Sequence, residues 1–162
     1  MSIGVGDRIP SVLVQVWQDG ELQTVESDRF FVGRRVMLVC MPGAFTPTCS
    51  REHLPGYVQM SDRLRAQGLA VVCLAVNDPF VMHTWAQQLG ALGKVELLPD
   101  GNGALTRAMG LELDASPFGM GLRCRRAAMV VNDGSVSFLK IEADPSVVTS
   151  TAAAACLQAG AP

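Results

Sequence analysis

Two unbroken apolar runs, VMLVCM (36–41) and LAVVCLAV (69–76), stand on either side of a long segment with helical patterning. Neither run alternates with polar residues, so each reads as a strand buried on both faces. Strands joined through a helix run parallel, and such a sheet needs helices to cover it. The rest of the chain supplies them. FVMHTWAQQLG (80–90) and GALTRAMG (103–110) predict helices, VELLP (95–99) predicts a strand, and the alanine-rich tail predicts a last helix. RRAAMVVNDGSVSFLKI (125–141) predicts a hairpin turning at Asp133-Gly134, and VLVQVWQDGELQTV (12–25) an N-terminal hairpin turning at Asp19-Gly20. The expected fold class is α/β, a mixed central sheet flanked by helices with an N-terminal β-hairpin. No repeat or composition break marks a second unit, so residues 1–162 are expected to form one domain.

Charge and cysteine usage exclude several function classes. A formal net charge of −2 gives no basic surface for nucleic acid and no attraction to a membrane. The first residues, MSIGVGDRIP, lack a signal-peptide pattern, and no apolar run reaches a bilayer-spanning length, so the expected location is cytoplasmic. The five cysteines (40, 49, 73, 124 and 156) are odd in number and scattered, with no CxxC pair and no Cys/His cluster at zinc spacing. Reduced thiols are expected, with neither a disulfide framework nor a metal site. GNG (101–103) does not make a nucleotide-binding glycine pattern. Among the loop segments, DASPFGMG (114–121) is long enough to suggest a functional role.

One cysteine stands apart. In PGAFTPTCS (42–50) the pair Thr46-Pro47 is a strong helix start, with threonine able to cap and proline suited to the first helical position. Cys49 then falls at the third helical position, where unpaired amides and the helix dipole favour a thiolate. Cysteines in such places titrate anywhere from about 3.5 to 7.5 instead of about 8.5. Local geometry therefore predicts a nucleophile at the end of a buried strand. It does not name the reaction.

The segment PGAFTPTCSREHLPGY (42–57) resembles the active-site segment of peroxiredoxins, with their Pro-x-x-x-Thr-x-x-Cys core, and is closest to the type-five, or atypical, class. The similarity runs nearly end to end through VGDRIP, VVCLAVND, LPDGNGALTRAMGL, GLRCRRAAMVV and IEAD. The resemblance implies a thioredoxin-like fold and a thiol-dependent peroxidase that needs no metal or organic cofactor. It implies that Cys49 is the peroxidatic cysteine, Thr46 the hydroxyl that bonds thiolate and peroxide, Pro42 the ring that shields them, and Arg126 the active-site arginine. Strand alternation supports Arg126 independently: residues 124, 126, 128 and 130 would share one apolar face, and a buried guanidinium there needs an anion. On the same alternation Cys124 would approach the pocket.

His53, one helical turn after Cys49, is expected to orient or pack rather than act as a base. His83 is expected on a helix surface. How the oxidised cysteine is reduced stays open. The resemblance places a resolving cysteine of atypical members at Ser150, so a one-cysteine cycle with an external thiol, glutathione with glutaredoxin or thioredoxin, is preferred. Cys156 or Cys124 as resolving residue is the alternative. A redox sensor or relay that passes oxidation from Cys49 to a partner protein is a second function class with the same chemistry. The resemblance also implies a homodimer packed near the active sites. Phe118 and Met120, in the long loop, suggest tolerance of organic hydroperoxides.

Overall fold

The computed structural model describes residues 1–158. Its centre is a five-stranded sheet in the order β5-β4-β3-β8-β9. The two apolar runs form β3 (Arg35–Met41) and β4 (Ala70–Ala75), which pair in parallel, and β5 (Glu96–Pro99) extends that side in parallel. β8 (Ala127–Asn132) lies antiparallel on the other side of β3, and β9 (Ser135–Ile141) folds back on it. The mixed sheet is thus the one expected, with crossovers on one side and a hairpin on the other.

Both Asp-Gly turns fall as predicted. Asp19 and Gly20 have φ of 53° and 80°, joining β1 (Leu13–Gln18) to β2 (Glu21–Glu26); Asp133 and Gly134 have 46° and 80° between β8 and β9. Positive φ at both central residues is what a two-residue hairpin turn demands, and aspartate followed by glycine tolerates it.

Alternation along the strands builds two cores. Met37, Val39 and Met41 with Cys73, Ala128 and Val130 face the helices α2 (Leu54–Ala66), α3 (Pro79–Gln88) and α5 (Ala153–Gln158). Val36, Leu38 and Cys40 with Leu74, Met129 and Val131 face the N-terminal hairpin, the short helix α1 (Ser27–Phe30) and α4 (Ala104–Ala108). With both faces covered, β3 is buried at six of its seven residues, which is why its sequence shows no polar alternation.

The loop expected at 114–121 forms the tip of a hairpin, with only Asp114 belonging to a strand. Two three-residue strands, β6 (Glu112–Asp114) and β7 (Leu122–Cys124), pair antiparallel around a 3₁₀ turn at Ser116–Phe118. Strands this short carry too few residues to show a period of two.

Candidate active site

Chain geometry puts Cys49 where the sequence places it. Helical residues begin at Pro47, and Ser50 N–H donates to Thr46 O at 3.0 Å, so the amides of Thr48 and Cys49 precede the bonded ladder. Just before Pro55 the helix makes a π turn over Cys49–His53, in which Leu54 N–H reaches back five residues to Cys49 O. Pro55 has no N–H to continue an α ladder there. Upstream, the turn out of β3 holds Phe45 at φ 63°, while the Asn77 side chain accepts from Ala44 N–H at 2.9 Å and fixes the turn from the neighbouring β4–α3 loop.

Cys49 is fully buried and lies against Arg126, itself 2% exposed, whose Nη2 donates to Sγ at 3.3 Å. Two further bonds orient the guanidinium: Nε to Pro145 O at 3.0 Å and Nη1 to His53 Nδ1 at 2.8 Å. Three of its five N–H groups are thereby engaged. Among the described residues no carboxylate forms a salt bridge with Arg126. A guanidinium buried without a carboxylate partner needs another anion, and the sulfur it touches can be one.

His53 Nε2 faces Thr151 O at 3.1 Å, and a carbonyl can only accept. Nε2 therefore carries the proton and Nδ1 is the acceptor for Arg126. Burial, then the charge of Arg126, lower the His53 pKa to about 4, so the ring is neutral at physiological pH. With Nδ1 occupied it has no free nitrogen to take a proton from the thiol.

A cleft of about 290 Å³ opens above this group, lined by Pro42, Thr46 and Arg126 on one side and Leu113, Phe118 and Met120 of the β6–β7 hairpin on the other. Pro42, Thr46 and Arg126 thus line one cleft. One detail differs: Thr46 Oγ1 donates to Gly43 O at 2.7 Å rather than to the sulfur. Turn closure takes the hydroxyl proton and leaves the oxygen lone pairs as acceptors.

None of the other four cysteines hydrogen-bonds to Cys49 or Arg126. Cys124 does not share the face of Arg126. β7 ends at Cys124 and β8 begins at Ala127, so the two-residue break resets the alternation, and Cys124 packs with Cys40 across the sheet from Cys49. The Cys124 thiol and burial together push the Cys40 thiol well above its usual range. Cys73 is buried in β4, its sulfur 3.8 Å from Met41 Sδ, and burial pushes its thiol up strongly. Cys156, on α5, is buried beneath Tyr57, whose hydroxyl is 3.5 Å from its sulfur; burial raises it as well. Ser150 sits in the segment before α5. His83 is half-buried and packs on Trp17 with ring centroids 5.3 Å apart.

Sequence reasoning missed the segment from Glu142 to Thr151, which supplies Pro145 O to Arg126 and Thr151 O to His53. Backbone carbonyls leave no mark on residue identity, and only the resemblance of IEAD (141–144) touched this segment.

Known proteins resemble this chain in sequence and in fold. The Redoxin family model matches residues 4–156. Peroxiredoxin-2E-2, chloroplastic, of Oryza sativa subsp. japonica is 45% identical over 158 residues, covering 93% of this chain and 70% of its own length. The solved structure of reduced Prx3 in complex with H2O2 from Vibrio vulnificus superposes with TM-score 0.90 at 36% identity, covering 97% of this chain and 98% of its own. Peroxiredoxin 5 from Alvinella pompejana gives TM-score 0.83 at 35% identity, with 96% of each chain covered.

Proposed function

The chain belongs to the redoxin family as a peroxiredoxin with a thioredoxin-like fold, a thiol peroxidase, and from that premise we propose that Cys49 is the peroxidatic residue of a type-five enzyme. The observation that carries the reading is the Arg126 guanidinium, buried and bonded to the Cys49 sulfur at 3.3 Å. A charge-assisted bond of this kind favours the thiolate, the form that attacks.

In the proposed reaction the thiolate forms an S–O bond to the nearer peroxide oxygen while the O–O bond breaks. The electron pair leaves on the far oxygen, which takes a proton to become water or an alcohol, and Cys49 becomes a sulfenic acid. Thr46 Oγ1 accepts the O–H of the peroxide, and the guanidinium N–H groups left over from Pro145, His53 and Cys49 stabilise the departing oxygen. Pro42 walls off water. The apolar face of the cleft, Leu113, Phe118 and Met120, supports organic hydroperoxides as substrates beside hydrogen peroxide.

Reduction is assigned to an external thiol, glutathione with glutaredoxin or thioredoxin, in a one-cysteine cycle. Cys124 lies on the other side of the sheet, and Cys156 is buried on α5 with its sulfur 3.5 Å from the Tyr57 hydroxyl, which favours an external thiol over either of them. All five cysteines stand as free thiols, which suits a reducing compartment such as the cytoplasm. Phe118, 80% exposed, lines the cleft, and Phe45 and Val147, exposed at 52% and 41%, are chain neighbours of the lining residues Thr46 and Ser146; these exposed apolar side chains support a homodimer packed on this face.

Intact-mass measurement after one equivalent of peroxide tests the cycle. A gain of one oxygen that Cys49→Ser abolishes is expected. Loss of two hydrogens, removed by Cys156→Ser, would instead assign an internal disulfide.

A further inference from the structure

Glu142 follows β9 and is only 5% exposed. Its carboxylate accepts four hydrogen bonds from one short stretch of chain. Oε1 takes Thr149 N–H at 2.6 Å, Thr151 N–H at 3.0 Å and Thr151 Oγ1–H at 2.9 Å; Oε2 takes Thr149 Oγ1–H at 2.7 Å. Burial alone would raise its pKa, but these bonds outweigh it and hold the group near 2, so the charge is present throughout the physiological range. So many bonds from two residues hold Thr151 by its amide and its hydroxyl, and so fix the residue that carries the carbonyl.

That carbonyl has a definite use. Its two lone pairs are taken by His53 Nε2–H at 3.1 Å and Tyr57 O–H at 2.6 Å. It therefore decides which nitrogen of His53 bears the proton, and hence that Nδ1 is free to accept from Arg126. The circuit closes on itself, because Glu142 N–H donates to Arg126 O at 2.9 Å. Glu142 thus holds Arg126 at its backbone directly and at its guanidinium through Thr151 and His53.

We propose that Glu142 is a positioning residue for peroxide reduction, fixing the Thr151 carbonyl that sets the His53 tautomer and, through it, the aim of the Arg126 guanidinium at Cys49. The inference rests on the reading of Cys49 as the peroxidatic thiol. A carboxylate that merely tied down the chain end would affect folding stability and nothing at the sulfur. A positioning carboxylate changes the chemistry of a thiol it never touches.

The test is Glu142→Gln, which keeps the shape but replaces one accepting oxygen with an NH₂ group, facing three donors at the Oε1 position or one at Oε2, and removes the charge. In the folded variant, the second-order rate of Cys49 oxidation by hydrogen peroxide is expected to fall at least about tenfold. The pH midpoint of the thiolate ultraviolet absorbance should rise, and nitrogen NMR of His53 should show a mixture of tautomers where the wild type shows the Nε2–H form alone. Thr149→Ala and Thr151→Val, each removing one hydroxyl donor, should give losses of severalfold in the same rate; they decide the matter if Glu142→Gln does not fold. Folded variants with wild-type rate, midpoint and tautomer would overturn the proposal. Peroxide reduction surviving in Cys49→Ser would instead remove the underlying reading, so the two failures are separable.

Discussion

Arg126 makes three different bonds with one planar group, and no other side chain can repeat them. Lysine keeps the charge but cannot reach Pro145 O, His53 Nδ1 and the sulfur from fixed, coplanar positions. Arg126→Lys is therefore expected to slow peroxide reduction roughly a hundredfold, a loss of about 2.7 kcal/mol in transition-state stabilisation, measured as kcat/KM under steady reductant. His53 adds a dependence on pH. Its pKa of about 4 in the folded state lies below the ordinary 6.5, so the unfolded chain binds the extra proton first and stability falls as pH drops from 6.5 towards 4. The full shift corresponds to roughly 3 kcal/mol. Glu142 acts lower down: with a folded pKa near 2 against an ordinary 4.5, its contribution is complete above 4.5 and is lost as pH falls towards 2. Urea unfolding at a series of pH values should show both declines, and a flat profile between pH 6.5 and 4 would contradict the neutral imidazole.

Among the elements, the β6–β7 hairpin supplies Leu113, Phe118 and Met120 to the cleft. Phe118 is 80% exposed on its turn and lines the cleft. Truncating it removes apolar contact to a bulky hydroperoxide but none to hydrogen peroxide. Phe118→Ala is expected to lower kcat/KM for an aromatic hydroperoxide severalfold, on the order of 1 kcal/mol, and to leave hydrogen peroxide unaffected. Equal effects on both substrates would remove this hairpin from substrate selection. The hairpin also shows where sequence reading stops. β3 and β4 were legible because burial on both faces leaves an unmistakable apolar run, and the helix start at Thr46-Pro47 was legible because proline has so few permitted places. The break at Arg125-Arg126, which turns Cys124 to the far face, left no trace, since a strand interrupted by two residues reads like one continuous strand. The π turn was visible only as a proline out of place. Thr151 and Pro145 act through their backbone oxygens, and any residue type carries those.

On the scale of the whole molecule, β3 belongs to both cores, giving Met37, Val39 and Met41 to one and Val36, Leu38 and Cys40 to the other. Neither core can melt without exposing the other through that strand, so heat or denaturant should unfold the chain in a single transition that coincides by near- and far-ultraviolet circular dichroism. Separate transitions would mean that residues 1–162 do not behave as one domain.

The sheet that joins the cores also acts as a bulkhead. Cys49, Cys73 and Cys156 lie on one side of it, Cys40 and Cys124 on the other. An oxidant admitted through the cleft arrives in the first compartment and finds the second sealed by five strands of paired backbone. Over-oxidation during sustained turnover should therefore accumulate as sulfinic acid on Cys49 while the thiols behind the partition stay intact, a pattern of damage that peptide mapping would read directly.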